Sequence, residues 1–275
     1  MAKRVRCIVL TGYGINCENE MAHCCRLGGA DGVDIVHINQ LIHGEKHLDD
    51  YDFLNLPGGF LDGDDLGAAK AGANRLRYTR VDTIGERLYD QVLRFIKDGK
   101  LILGVCNGFQ LMVKSGMLPG FGGDYETQKV TLMSNDSGRF EDRWVYLKIS
   151  PETPCVFTHG LEGVYLPVRH GEGKFVPADG ETLQKLKDKG LIVAQYADSQ
   201  FRNSTMEYPL NPNGSIEAIA GICDESGRLM GVMPHPEAYN HFTNHPRWTR
   251  EKLPEEGAGV AFFRNAVEYI RKNLC

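Results

Sequence analysis

The sequence has no run of the roughly 20 apolar residues that a membrane-spanning helix needs, so no transmembrane segment is expected. No secretory signal is expected either: Met1 to Leu10 passes from a few charges straight into a strand-like run, without a long apolar stretch or a small-residue cleavage site. Lys and Arg are scattered rather than clustered, and the formal net charge is -5, which argues against a phosphate-tracking surface. The eight cysteines are too few and too irregularly spaced for a disulfide scaffold. Reduced thiols in a cytoplasmic protein are the default expectation. Cys17, His23, Cys24 and Cys25 lie close in sequence, but there is no C-x-x-C pair and no second pair downstream. Without the usual ligand spacing no metal site is expected, and burial of these thiols on a helix is the plainer reading. No linker, repeat or low-complexity tract interrupts the chain, so one domain over 1–275 is expected.

What is present is a series of short apolar runs punctuated by glycine. Val5 to Leu10 reads as a buried parallel strand, Asn16 to Leu27 as a helix stopped by Gly28-Gly29, and Val33 to Ile38 and Tyr51 to Leu56 as further strands. The stretch from Asp62 to Asp82 is expected to be a long loop or irregular helix. Ile84 to Lys97 has the apolar spacing of an amphipathic helix closed by Gly99. Leu101 to Val105 is an apolar strand, and Asn107 to Ser115 restarts a helix. This alternation predicts an α/β fold: a doubly wound, mostly parallel sheet of flavodoxin-like type, flanked by helices. Within residues 128–222, the runs Trp144 to Ile149, Val164 to Val168, Leu191 to Tyr196 and Ile216 to Cys223 suggest antiparallel hairpins laid against the main sheet. Leu229 to Met233 reads as a last strand and Val260 to Leu274 as a closing helix.

Ligands of such sheets bind at the carboxyl ends of the strands. There the chain places Gly104-Val105-Cys106-Asn107-Gly108, a strand-to-helix turn with glycines on both sides of a cysteine. Such an elbow exposes a nucleophile over a helix N-terminus, which favours the thiolate and leaves the Asn107 N–H free to face a developing oxyanion. A small core cysteine is the alternative. Leu56-Pro57-Gly58-Gly59-Phe60 ends another strand; it is either an ordinary turn or a backbone donor site, with Gly59 as a second oxyanion donor. In His235-Pro236-Glu237, proline biases His235 toward extended backbone, in which residues two apart project to the same side. Glu237 could then orient the His235 imidazole, and a thiol nucleophile needs such a base. A solvated strand-end histidine is the bland alternative; His170, in His170-Gly171-Glu172-Gly173, is the nearest rival. Together these residues make a Cys-His-Glu triad.

Pro57-Gly58-Gly59, Gly104-x-Cys106-x-Gly108-x-Gln110 and His235-Pro236-Glu237 resemble the class I (triad) glutamine amidotransferases. Asn135 to Trp144 (NDSGRFEDRW), Leu166 to Phe175 (LPVRHGEGKF), Asn211 to Ser215 (NPNGS) and Met233 to Glu237 (MPHPE) narrow the resemblance to the glutaminase components of phosphoribosylformylglycinamidine synthase. The resemblance implies that Cys106 is the nucleophile, His235 the base and Glu237 its orienter. It also implies Gly59 and Asn107 as oxyanion donors and Gln110 as a holder of the substrate's amino-acid end. Further implications are glutamine as substrate, a synthetase subunit that receives the ammonia, and often a small accessory subunit. No cofactor is implied in this chain; ATP and magnesium belong with the synthetase. The first loop, Thr11 to Cys17, departs from the usual Phe-Pro-Gly-Thr-Asn type, and there are extra residues near 176–190 and 239–257. Another triad amidotransferase or Cys hydrolase, and a non-catalytic module on the same fold, are the alternatives.

Overall fold

The computed structural model describes residues 3–64 and 66–274; Asp65 and the ends of the 1–275 span lie outside them. The first half builds strands β1 (Arg6–Thr11), β2 (Gly32–His37), β3 (Phe53–Leu56) and β4 (Leu101–Val105). Between and after them come helices α1 (Glu18–Leu27), α2 (Ile38–Ile42), α3 (Lys70–Tyr78), α4 (Leu88–Lys97) and α5 (Asn107–Lys114). The second half adds β5 (Val130–Met133), β6 (Glu141–Ile149), β7 (Gly163–His170), β8 (Lys174–Pro177), α6 (Gly180–Asp188), β9 (Ile192–Ala197), β10 (Ile219–Cys223), β11 (Leu229–Val232) and α7 (Val260–Asn273).

Nine strands form one sheet in the order β2-β1-β3-β4-β11-β10-β9-β6-β7. The pairs β1–β2, β1–β3, β3–β4 and β4–β11 are parallel, and the rest are antiparallel. All five residues of β4 are buried, as expected for a central strand covered on both faces. Helix α1 packs on α7, and α3 packs on α4 and α5. Phe53, Phe157 and Phe263 meet in the core, with ring centroids 5.8 and 6.4 Å apart. Burying a side chain of that size contributes about 1.5–3 kcal/mol. The order reverses at β1, so β1 and β3 open a crevice at their carboxyl ends, next to the ends of β4 and β11.

Three expectations need correction. The antiparallel strands do not lie against the sheet; they extend it edge to edge. The cause is the β10–β11 hairpin, whose turn is tied by Asp224 Oδ1 accepting from the N–H groups of Arg228 and Leu229, so β10 pairs in the plane of β11. Among the described residues only β5 and β8 stand apart, as a two-stranded ribbon beside α5, with Phe109 stacked on Phe175 beneath it. The Asp62–Asp82 stretch contains the regular helix α3, whose buried stripe is Gly72, Ala73 and Leu76, too small to register as an apolar face. The helix expected from Ile84 begins at Leu88, because residues 81–85 form a turn that leaves Ile84 exposed. Helix α6, unforeseen in the extra residues near 176–190, starts where Asp179 caps the Thr182 N–H at 2.7 Å.

Candidate active site

Val105 ends β4, and the chain turns at Cys106 with φ 51° and ψ -105°, which makes Cys106 the N-cap of α5. A non-glycine residue held there stores about 1–3 kcal/mol of strain. Packing enforces the turn. A Cβ at Gly108 would stand 1.9 Å from the Leu56 carbonyl oxygen, and one at Gly104 would stand 2.5 Å from Met112 Sδ and 2.7 Å from Gly108. The two glycines are therefore required by the approach of α5 to β3 and β4, not by a left-handed backbone. The Cys106 side chain lies at the wall of a cavity, with its thiol donating to the Arg169 carbonyl at 3.5 Å.

His235 follows β11, the parallel neighbour of β4, and lines the same cavity of about 220 Å³ as Cys106. Its N–H donates to the Pro167 carbonyl at 2.8 Å, which fixes the backbone. Its Nδ1 stands 2.6 Å from Glu237 Oε1, and both side chains are buried. His235 itself is extended, with φ -99° and ψ 93°, as the proline predicts, but the residues after it form a 3-10 turn over Pro236–Ala238 rather than a continued extended segment. Pro236, with its fixed φ, starts this turn, and it is the turn that swings Glu237 back beneath the ring. Burial pulls the His235 pKa down, but the charges of Glu237 and then Cys106 outweigh it and hold it well above the ordinary imidazole range. Among the described residues, Nε2 of His235 has no hydrogen-bond partner.

Gly59 and Asn107 flank Cys106, one after β3 and one at the first turn of α5. No hydrogen bond among the described residues occupies the N–H of either. Gly59 has φ 138°, and a Cβ there would meet the Gly14 oxygen at 2.5 Å, so the loop after β1 clamps it. The Asn107 side chain accepts from the Leu61 N–H at 3.1 Å and donates to Gln110 Oε1 at 3.0 Å, locking the two donor loops together. Gln110, expected to help hold the substrate's amino-acid end, lines the pocket beside Cys106. One of its amide N–H groups donates to the Glu172 carbonyl at 2.6 Å. It shapes the pocket by pinning residues 171–173.

That pocket, about 250 Å³, is lined by Gly59, Cys106, Gln110, Phe140, Arg169 and Glu172, among others. Glu172 Oε2 accepts from the Ala68 N–H at 3.0 Å and pairs with Lys114 at 3.5 Å. His170 lacks the setting of His235: its buried ring faces side-chain amides rather than a carboxylate, Asn135 Oδ1 at 3.1 Å and Asn213 Nδ2 at 3.5 Å, and burial pushes its pKa down to about 3, which makes it a weak proton acceptor. Sequence reasoning missed Phe140 and Arg169 as walls, although both fall in motifs it singled out. It also missed Cys17, whose Sγ lies 4.0 Å from His235 Nδ1. A Cβ on Gly58 would come within 2.7 Å of His235 Cε1 and 3.3 Å of that sulfur, so glycine there allows the three to nest.

A family model described as the CobB/CobQ-like glutamine amidotransferase domain matches residues 4–270. The chain is 43% identical over 275 residues to the phosphoribosylformylglycinamidine synthase subunit PurQ of Methanococcus maripaludis, covering 96% of this chain and 97% of that one. It is also 43% identical over 269 residues to subunit PurQ of Dehalococcoides mccartyi, covering 98% and 99% of the two chains. Among solved structures, a chain of PurLQS from Thermotoga maritima matches with a TM-score of 0.69 at 27% identity, covering 98% of this chain and all of that one.

Proposed function

The chain belongs to the glutamine amidotransferase family, and from that premise we propose that it is the glutaminase subunit of a phosphoribosylformylglycinamidine synthase. It hydrolyses glutamine to glutamate and ammonia. A synthetase subunit, which carries the ATP and magnesium, uses the ammonia to convert formylglycinamide ribonucleotide to formylglycinamidine ribonucleotide. A small accessory subunit completes the assembly, in the cytoplasm. The relatives' names and the PurLQS complex support this partnership.

The observation that carries the reading is one cavity holding a strained Cys106 and a buried His235–Glu237 pair. The Cys106 sulfur attacks the side-chain carbonyl carbon of glutamine after His235 Nε2 takes the thiol proton. The Gly59 and Asn107 N–H groups stabilise the oxyanion. As the C–N bond breaks, the imidazolium returns its proton to the leaving nitrogen, and a thioester and ammonia result. Water then attacks the thioester with His235 again as base, releasing glutamate and the thiol. Glu237 keeps the ring in the tautomer whose lone pair is on Nε2, and it stabilises the cation.

An electrophilic glutamine mimic, a chloroketone or diazoketone, tests this. With the synthetase present, the adduct maps to Cys106 by mass spectrometry. Cys106→Ala abolishes glutamine use while the complex still works with added ammonia. Labelling elsewhere, or loss of the ammonia-dependent reaction, would sink the assignment.

A further inference from the structure

We propose that Cys17, His235 and Glu237 form a zinc-binding site that reversibly disables the His235 imidazole. The ligand atoms these three residues offer lie within 4.8 Å of one another, and all three side chains are buried. Cys17 Sγ is 4.0 Å from His235 Nδ1, which is itself 2.6 Å from Glu237 Oε1. Around a tetrahedral zinc, with bonds near 2.0–2.3 Å, ligand atoms stand roughly 3.3–3.8 Å apart. The observed separations bracket that range, so small side-chain rotations suffice. A second, independent observation points the same way: Glu237 is fully buried, and while its Oε1 faces His235, its other oxygen, Oε2, has no hydrogen-bond partner among the described residues and is left to bind a cation. A buried carboxylate oxygen without a donor is what a cation would satisfy.

The chemistry of the donors selects the ion. One thiolate, one imidazole and one carboxylate suit zinc and do not suit magnesium or calcium, which take oxygen ligands. Two anionic ligands also neutralise the dication, so the loaded site is a net-neutral unit in a buried place. Access is open, because Cys17 and His235 line the same cavity as Cys106. Exposed substrate-binding space is therefore also the route for the ion, which fills its fourth position from solvent.

The consequence follows from proton bookkeeping. The Cys17 thiol loses its proton to solvent as the sulfur binds. The proton on Nδ1 leaves or moves to Nε2 as that nitrogen gives its lone pair to the metal. The coordinated ring then carries its single proton on Nε2, with no lone pair there to accept the Cys106 proton. Glu237, now a metal ligand, no longer orients the tautomer that Cys106 requires. The inhibitory arm rests on the reading of His235 as the base, whereas the binding arm does not.

The test separates the two. Zinc binding is measured on the full chain carrying Cys106→Ala, by competition with a chromogenic chelator. One equivalent is expected to bind, with affinity falling at least 100-fold in the Cys17→Ala, Cys106→Ala double variant; Cys17→Ser, checked by circular dichroism, guards against a folding defect. In the assembled complex, zinc chloride inhibits glutamine-dependent turnover, chelator restores it, and magnesium has no such effect. Relative to its own zinc-free rate, Cys17→Ala needs at least tenfold more zinc for the same inhibition. Equal affinity in the single and double variants, or equal zinc sensitivity with and without Cys17, overturns the proposal. A chain without glutaminase activity that still binds zinc through Cys17 would instead refute only the functional reading.

Discussion

His170 makes a quantitative claim about acid stability. Its ring is buried, burial and then the charge of His235 push its pKa down to about 3, and it stays neutral in the fold. In the unfolded chain a histidine titrates near ~6.5. The folded pKa is depressed for a base, so the unfolded state binds the extra proton between those two values. Stability from this residue is complete above the unfolded value and declines as pH falls toward the folded one, by up to about 1.4 kcal/mol per pH unit. At pH 5 the loss is about 2 kcal/mol, since roughly 97% of unfolded chains would carry the proton and the folded site would not. A folded value one unit higher or lower scarcely alters that figure. His170→Gln keeps an amide facing Asn135 and Asn213, which hydrogen-bond the ring at 3.1 and 3.5 Å, but removes the titration. Urea unfolding of both proteins from pH 7.5 to 5 should therefore converge by about 2 kcal/mol, whatever fixed cost the substitution carries. Parallel losses across that range would refute the buried neutral histidine, and with it the reading of His170 as a weak proton acceptor.

Glu237→Gln replaces the carboxylate 2.6 Å from His235 with a group that cannot stabilise the imidazolium. Glutamine-dependent kcat should fall about 10²–10⁴-fold with little change in KM. A defect confined to KM would contradict the orienting role. Gly108→Ala drives a methyl to 1.9 Å from the Leu56 oxygen and must open the elbow. A loss of about 1–3 kcal/mol in thermal unfolding is expected, with faster Cys106 alkylation, and an unchanged midpoint would show that the approach has slack. Gln110→Ala releases the Glu172 carbonyl held at 2.6 Å. Hydrogen exchange at residues 171–173 should accelerate and the glutamine KM rise about tenfold, as for a lost hydrogen bond of about 1.4 kcal/mol; a raised KM with unchanged exchange would assign Gln110 to direct substrate contact alone.

The parallel half of the fold was legible because its strands are covered on both faces and so are continuously apolar, as in Leu101 to Val105. The antiparallel half was visible as strands but not in its placement, because alternation along β6 or β9 says which face is buried and not which edge is paired. Helix α3 escaped for a related reason: a buried stripe of Gly72 and Ala73 packs closely and carries almost no hydrophobic signal. The Cys106 elbow and the His235–Glu237 pair could be read because local backbone rules act within a few residues, even though a 3-10 turn, not an extended strand, joins the pair. Contacts made across the sheet follow no such rule. Cys17 was grouped with Cys24 and Cys25, its neighbours in the chain, yet Cys24 donates to the Glu237 carbonyl at 3.6 Å and Cys17 faces His235, 218 residues away. Parallel topology creates that meeting, since it gathers the ends of β1, β3, β4 and β11 on one rim. Any polar residue just past one of those strand ends is a neighbour of the site, so the loop after β1 is where chemistry invisible to local motifs is to be sought.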